Sequence, residues 1–109
     1  MEKLNIKPLS TNSLYKGRRF KTDKHDSYKR ELAYLLPNTV IIGLPPYRII
    51  LEFGTCKMQD LDNNIKGFLD SLVNKYNFDD RNVYEINAKK VVVSKGSEYI
   101  KFKIENILK

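Results

Sequence analysis

The chain has 109 residues, enough for one domain with a modest core and too few for two. Its formal net charge of +7 favours a polyanionic partner such as nucleic acid. No stretch approaches the roughly 18 apolar residues of a membrane span, and the first residues lack the apolar core of a signal peptide. Cys56 is the only cysteine, which excludes an internal disulfide. We therefore expect one cytoplasmic domain with no membrane partner.

The first predicted elements are a short strand and a basic hairpin. Residues 3–7 alternate polar and apolar side chains until Pro8 ends the strand. Residues 15–24 contain a single acid, Asp23, and Gly17 predicts a tight turn in the middle of them. The basic side chains of this segment are Lys16, Arg18, Arg19, Lys21 and Lys24. Such a loop would bind phosphates through counterion release, and a merely solvated basic loop is the alternative.

A helix and a buried strand follow the hairpin. Residues 25–36 place apolar side chains at helical spacing, and Pro37 predicts the end of that helix. The lone His25 has no second histidine to join as a metal ligand. Residues 47–53 alternate strictly and predict a strand, after which Cys56 is expected as a small buried apolar residue.

The strongest helical pattern covers residues 60–76. The residues of its apolar stripe are Leu61, Ile65, Phe68, Leu69, Leu72, Val73 and Tyr76. Gly67 is expected on the exposed side. Two further strands, over residues 83–93 and 99–104, are predicted to form a hairpin through the turn at residues 94–97.

Charged residues cluster where this long helix begins. One interpretation is helix-start chemistry, with Asp60 as the N-cap, Asp62 favourable to the helix dipole, and Lys66 paired with Asp62 and Asp70 one turn away. The other is a Mg²⁺ site for phosphodiester cleavage, because carboxylate oxygens suit Mg²⁺ and leave positions for water and phosphate. A neighbouring lysine would then stabilise the charge that grows on the phosphate. The residue types alone leave both interpretations open.

A calcium-binding loop is excluded. Asp60, Asp62 and Asn64 match the first three side-chain positions of an EF-hand loop. Ile65 occupies the position that requires glycine, and Ser71 the position that requires a bidentate glutamate.

A series of motifs extends over nearly the whole chain and resembles one known family. An early turn carries Pro8, Ser10 and Asn12 and is followed by Tyr15, the basic hairpin and a helix. A strand then leads into Asp-Leu-Asp-Asn at residues 60–63, with the remaining matches at Lys66, Phe68, Asp70, Asp79 and Asp80. In this order, these motifs resemble the RusA-type Holliday-junction resolvases, which are often carried by prophages.

The resemblance implies a fold, an activity and a site. The implied fold is a small α+β domain spanning residues 1–109, with a mixed sheet of four or five strands and a basic hairpin, packed against two helices. The implied activity is Mg²⁺-dependent cutting of four-way DNA junctions by a homodimer through paired symmetric nicks, in DNA recombination and repair, with Mn²⁺ as a substitute metal and no small-molecule cofactor. Asp60, Asp62 and Asp80 match the metal-binding aspartates and Lys66 the catalytic lysine, with Asp70 and Asp79 as further acidic positions. The expected DNA contacts are Asn12, Tyr15, Lys16, Arg18, Arg19, Lys21 and Lys24. The implied location is the cytoplasm of a bacterium or phage-infected cell.

Chain length complicates this site. A helix from Asp62 to Tyr76 is about 21 Å long, and the four residues to Asp80 span at most about 14 Å. Either the helix is shorter than predicted, or Asp80 serves the site of the other subunit. Two functional alternatives also remain, namely a non-catalytic nucleic-acid-binding module and a Mg²⁺ nuclease acting on flaps or forks.

Overall fold

The computed structural model describes residues 1–9, 15–16, 20–21, 23–38, 40, 43–56 and 61–107, with the backbone alone for residues 15–16, 20–21 and 23–25. The elements in chain order are β1 (Glu2–Leu4), β2 (Tyr15–Lys16), β3 (Phe20–Lys21), α1 (Asp23–Leu35), β4 (Tyr47–Thr55), α2 (Leu61–Tyr76), a 3₁₀ helix (Asp80–Asn82), β5 (Val83–Val92) and β6 (Tyr99–Asn106). This is the small α+β domain expected from the sequence. None of the helices described is both long enough and apolar enough to cross a lipid bilayer.

Four strands form a mixed sheet in the order β1-β6-β4-β5. β4 is parallel to β5 and antiparallel to β6, and β1 is antiparallel to β6. Parallel neighbours require a crossover connection, and α2 supplies it between β4 and β5. The predicted hairpin of the last two strands is therefore wrong, because β4 lies between them. Alternating apolar residues identified both strands but carried no information about which neighbour each one pairs with.

One face of the sheet carries the core. The side chains of β4 alternate, so that Tyr47, Ile49, Leu51 and Phe53 are at most 4% exposed. Their β6 neighbours on the same face are also buried, with Ile100 and Phe102 fully so. Both helices contribute to this same cluster, α1 through Tyr28 and Leu32, with Leu36 directly after it, and α2 through Phe68 and Leu72. The helices thus cover one face of the sheet and leave the other to polar residues.

Aromatic packing and one tether fix α2 against this core. The ring of Phe68 packs edge-on against Phe53 and Phe102, with ring centroids 6.1 and 5.7 Å apart. At the end of α2, the Tyr76 hydroxyl donates to the Pro37 carbonyl at 2.7 Å, and burial raises the pKa of Tyr76 to about 12. Gly67 is buried rather than exposed, which corrects the sequence prediction.

The basic segment forms the predicted hairpin. β2 and β3 pair antiparallel, with Tyr15 opposite Lys21 and Lys16 opposite Phe20. The short ladder ends where α1 begins at Asp23, so the hairpin directly precedes the first helix.

Candidate functional site

A row of charged side chains lies on the exposed side of α2, starting in its first turn. β4 ends at Thr55 and α2 begins at Leu61, so the first turn of the helix lies at the carboxyl end of β4. The buried stripe of α2 faces the sheet, and Asp62, Lys66 and Asp70 are exposed on the other side. Their spacing of four residues places them on successive turns of one helix face.

The ion pairs expected along this row are not formed. Among the described residues, no ion pair joins Lys66 to Asp62 or to Asp70. Two of the four interactions of the helix-start interpretation are therefore not formed, while Asp62 keeps its favourable place in the first turn of α2. The N-cap role of Asp60 lies outside the described residues. The two carboxylates and the ammonium group are accessible to a ligand from solvent.

Several predicted site residues lie outside the described part of the chain. Asp60, which directly precedes α2, is one of them, and Asn12, Arg18 and Arg19 of the basic segment are others. For Tyr15, Lys16, Lys21 and Lys24 the backbone positions alone are described, in β2, β3 and α1. The expected roles of all these residues remain predictions.

The second acidic pair lies just before β5, where the two aspartates differ in their surroundings. Asp79 caps the 3₁₀ helix by accepting a hydrogen bond from the Arg81 backbone N–H at 2.9 Å. The Arg81 guanidinium also binds its carboxylate, through Nε at 3.0 Å and Nη2 at 2.7 Å. These hydrogen bonds, those of the side chain first, lower the pKa of Asp79 to about 2. Asp80 opens the 3₁₀ helix and is exposed.

Asp62 and Asp80 are close in sequence to opposite ends of β4. α2 follows the carboxyl end of β4, and Asp80 precedes β5, whose first residue pairs with Tyr47. α2 has its full predicted length, which excludes the shorter helix considered from the sequence. Phe78 is buried with its ring 5.4 Å from that of Tyr47, which fixes the chain beside the first residue of β4. Because β4 runs for nine residues, its two ends lie about 26 Å apart. α2 carries the chain about 21 Å from Asp62 to Tyr76, and the four residues to Asp80 can return at most about 14 Å, so the two Cα atoms are at least about 7 Å apart within one chain.

Mg²⁺ fits the donor chemistry of these aspartates, but one chain does not bring them together. Carboxylates that share one Mg²⁺ have oxygens within about 4 Å of each other. Within the part of the chain that the structure describes, no group of three acidic, histidine or cysteine side chains could hold a metal ion. Asp60 and Asp62, two residues apart in sequence, are the predicted ligands that can lie close together within one subunit.

Two buried polar residues in α2 were missed by the sequence analysis. Asn64 is fully buried, and neither atom of its amide has a hydrogen-bond partner among the described residues. Ser71 is 7% exposed and lines a cavity of about 290 Å³ between the two helices. Across this cavity Lys75 donates to the Ala33 carbonyl at 3.0 Å, which joins the ends of α1 and α2. The available signal was their position, since both fall at helical spacing inside the apolar stripe.

Cys56 is also more polar in its surroundings than expected. It is half-buried, and its thiol donates to Glu98 Oε2 at 3.0 Å. This hydrogen bond is the main cause of the raised pKa of the thiol. Cys56 is therefore a hydrogen-bond donor to Glu98 and is not activated as a nucleophile.

Comparison with known proteins identifies no relative. No protein-family model matches the chain, and no curated protein is significantly similar to it. The function of the protein is therefore inferred from its sequence motifs and from the geometry of α2 and the acidic residues.

Proposed function

We propose that the protein is a Mg²⁺-dependent endodeoxyribonuclease that resolves four-way DNA junctions by paired nicks, as the resemblance to the RusA-type resolvases implies. The observation that carries this proposal is the exposed row on α2, where Asp62 and Lys66 form no ion pair with each other within the described part of the chain. A helix-start role would use these charges within the helix, whereas a nuclease needs them accessible. The net charge of +7 fits a DNA substrate.

Each residue of the proposed site has a distinct role. Asp60 and Asp62 hold the metal from the start of α2, and Asp80 completes its ligand set. Mg²⁺ bound there would supply activation of water and stabilisation of the leaving oxygen. Lys66 lies one turn along the helix from Asp62, at a rise of about 6 Å. From that position its ammonium group offsets negative charge on the phosphate as the bond is cut.

Asp80 acts in the site of the other subunit of a homodimer. Its separation from Asp62 within one chain supports this arrangement, since α2 spans the whole sheet between them. Asp79 is the weaker candidate for a ligand because Arg81 already binds both of its oxygens. Asp80 follows Asp79 in sequence and is exposed, so it is the stronger candidate for a metal ligand.

Recognition of the junction is assigned to phosphates rather than to bases. The basic hairpin around β2 and β3 and the positive field of the whole chain hold the arms of the junction. Contacts of this kind fix the position of a duplex without reading its sequence, so the protein would select for shape. This activity belongs to DNA recombination and repair in the cytoplasm of a bacterium or a phage-infected cell.

The test is a cleavage assay on Asp62→Asn with a matched control. With a labelled four-way junction in Mg²⁺, Asp62→Asn is expected to lower the nicking rate by at least about 100-fold, while binding of the junction in a gel-shift assay survives. Asp26→Asn makes the same change at an exposed position of α1 and should leave nicking unaltered. If Asp62 serves only the helix dipole, the variant loses about 0.3–1 kcal/mol of stability and cuts normally, which would refute the site.

A substrate panel tests the proposed preference. A four-way junction, a flap and a plain duplex are compared at matched salt, with Mg²⁺ and with a chelator, because salt governs binding of every DNA. Faster cutting of the flap would replace junction resolution by flap cleavage. Binding of all three without any metal-dependent cutting would identify a non-catalytic module.

A further inference from the structure

β5 is a long edge strand with one unpaired side. It is last in the sheet order and has ten residues, and within the described residues β4 is its one neighbour. The free side therefore offers a row of backbone N–H and C=O groups. The register with β4 shifts once, between Val83 and Glu85, and the edge from Glu85 to Val92 is regular. A regular open edge pairs readily with another strand.

The helix-side face of β5 is only partly covered, since Val83 and Ala88 pack against the core and the large apolar side chains beside them are exposed. Ile49 and Leu51 of β4 lie under the helices and are at most 1% exposed. The neighbouring β5 side chains on this face include Ile86 and Val92, which are 43% and 78% exposed, and Tyr84, at the register shift near the start of β5, is 70% exposed. Half of the exposed large hydrophobic residues that the structure describes lie on this strand. Such a concentration at a sheet edge is typical of an interface.

On the outer face, two rows of alternating charge cross the sheet and end at β5. In one row Arg48 lies between Glu105, at 3.1 Å, and Glu85, at 2.7 Å. In the other, Glu52 lies between Lys101, at 3.9 Å, and Lys89, at 3.3 Å. The hydroxyl of Tyr99 also donates to Glu52. At the edge, the first row therefore ends in a negative charge and the second in a positive one.

Both terminal charges remain open to a partner. The side chain of Glu85 is 53% exposed and that of Lys89 is 68% exposed, although each has its own ion pair on β4. They lie four residues apart on the same face of β5. A second β5 in antiparallel orientation could therefore present a lysine to the glutamate and a glutamate to the lysine.

We propose that β5 is a homodimer interface, in which it pairs antiparallel with β5 of a second copy about a two-fold axis at Asn87. This register sets Glu85 opposite the partner's Lys89, twice by symmetry. The row that ends in Glu85 then continues into the partner's row that ends in Lys89, and negative and positive side chains still alternate along it. Ile86 meets the partner's Ala88 on the helix side, and the two four-stranded sheets become one sheet of eight strands.

The register follows from the charges. Pairings that keep the helices of both copies on one side of the joined sheet differ by steps of two residues. Within β5, only the register centred on Asn87 places opposite charges face to face. Shifting it by two residues sets Glu85 against the partner's Asn87 or Val91, so both charged pairs are lost.

The antiparallel arrangement also brings Asp80 of one subunit and the start of the partner's α2 to the same end of the paired β5 strands. The amino end of β5, with Asp80 just before it, then lies beside the carboxyl end of the partner's β5. The partner's β4 ends at that same level, because Thr55 pairs with Val92, and its α2 begins there. This consequence rests on the proposed nuclease function, whereas the pairing itself stands on the sheet alone.

Charge reversal at the edge tests the pairing. Sedimentation velocity of the intact chain is expected to show a dimer, and Glu85→Lys, which sets lysine against lysine at both pairs, should weaken dimerisation about tenfold or more. Adding Lys89→Glu restores both pairs between subunits while the contacts with Arg48 and Glu52 inside each chain stay unfavourable. Recovery of the dimer in the double variant is therefore specific to the interface. Glu31→Lys on α1 makes the same change of charge at an exposed position and should leave the dimer intact.

Disulfide trapping tests the register. In a Cys56→Ser background, Asn87→Cys places two thiols directly opposite each other, within the range of a disulfide across antiparallel strands. The control is Val91→Cys, on the same face of β5 and outside the charged pairs, which would lie about 26 Å from its own symmetry mate. Rapid cross-linking of the first variant and not of the second supports the register.

The remaining outcomes separate this proposal from the proposed function. A monomer at high concentration, a dimer unaffected by Glu85→Lys, or equal cross-linking of the two cysteine variants would each overturn the interface. A β5-paired dimer that cuts no DNA would refute the nuclease and leave the interface standing. A dimer that cuts junctions in Mg²⁺ and is unaffected by Glu85→Lys would do the reverse.

Discussion

Mixed dimers provide the sharpest test of whether two subunits share each site. The perturbation is a mixture of two inactive proteins, one carrying Asp62→Asn and the other Asp80→Asn, which are co-refolded so that subunits exchange. If Asp80 acts across the dimer, a heterodimer has one centre with both substitutions and one with neither. If Asp80 acts within its own chain, every centre in every dimer carries one substitution.

The structure sets the expected magnitude. Within one chain, α2 carries Asp80 farther from Asp62 than the four residues after the helix can return, and the buried contact of Phe78 with Tyr47 keeps Asp80 near the start of β4. Carboxylates on one Mg²⁺ lie within about 4 Å of each other, so centres within one chain are not expected to form. Equal mixing makes half of the dimers heterodimers, each with one intact centre of two, which predicts about a quarter of the wild-type nicking rate.

The assay counts nicks rather than resolved junctions. A heterodimer with one intact centre cuts one strand of a four-way junction, so nicked product should accumulate while paired cuts stay rare. Each variant assayed alone supplies the background rate. A mixture no more active than that background, with subunit exchange demonstrated by mass spectrometry, would refute the shared site and return Asp80 to its own chain or to no catalytic role.

Two further predictions concern the fold around the site. A Cβ at Gly54 would collide with the ring of Tyr99, so Gly54→Ala should cost about 1–3 kcal/mol in urea unfolding, with much of the loss relieved when Tyr99→Ala is added; an additive double variant would contradict this contact. The Asp79 carboxyl should titrate by NMR near its pKa of about 2, rising toward 3.8 in Arg81→Ala. Because this pKa is lowered by folding, its stabilising contribution is complete above about pH 4 and is lost as pH falls toward 2; a titration unchanged by Arg81→Ala would disprove the pairing.

Periodicity predicted the elements of the fold well. The apolar stripe of α2 and the strict alternation of β4 each identified an element and the face that it buries, because burial of one face is what the pattern encodes. The helix predicted over residues 60–76 matches the observed Leu61–Tyr76 at every residue of it that the structure describes. The polar exceptions within α2 were not predictable in the same way. Asn64 and Ser71 are polar, which is typical of an exposed helix face. They are buried because their positions in the helix fall within its apolar stripe.

Strand order was not predictable from the same signals. β5 and β6 are adjacent in sequence and are joined by a short segment rich in turn-forming residues. This pattern is typical of a β-hairpin. Their apolar residues do point to the same face, but β4 separates them. The choice between these pairings is made by contacts distant in sequence, and local alternation is equally compatible with both. A further signal was available in the adjacent pair Lys89 and Lys90, which puts a charge on each face of β5 and so indicates an edge strand.

One topological feature explains both the wrong hairpin and the incomplete site. When α2 returns the chain to the start of the sheet, β5 must run parallel to β4, so it takes the open side of β4 and becomes an edge. The same return carries Asp80 the full length of the helix away from Asp62. A chain built this way has a free strand edge and a divided acidic cluster for a single reason. Antiparallel pairing of two such edges addresses both at once, because it buries the open strand and brings the amino end of one β5 to the carboxyl end of the other. The dimer interface and the shared site are thus expected to succeed or fail through different residues, Glu85 and Lys89 for the first and Asp62 and Asp80 for the second.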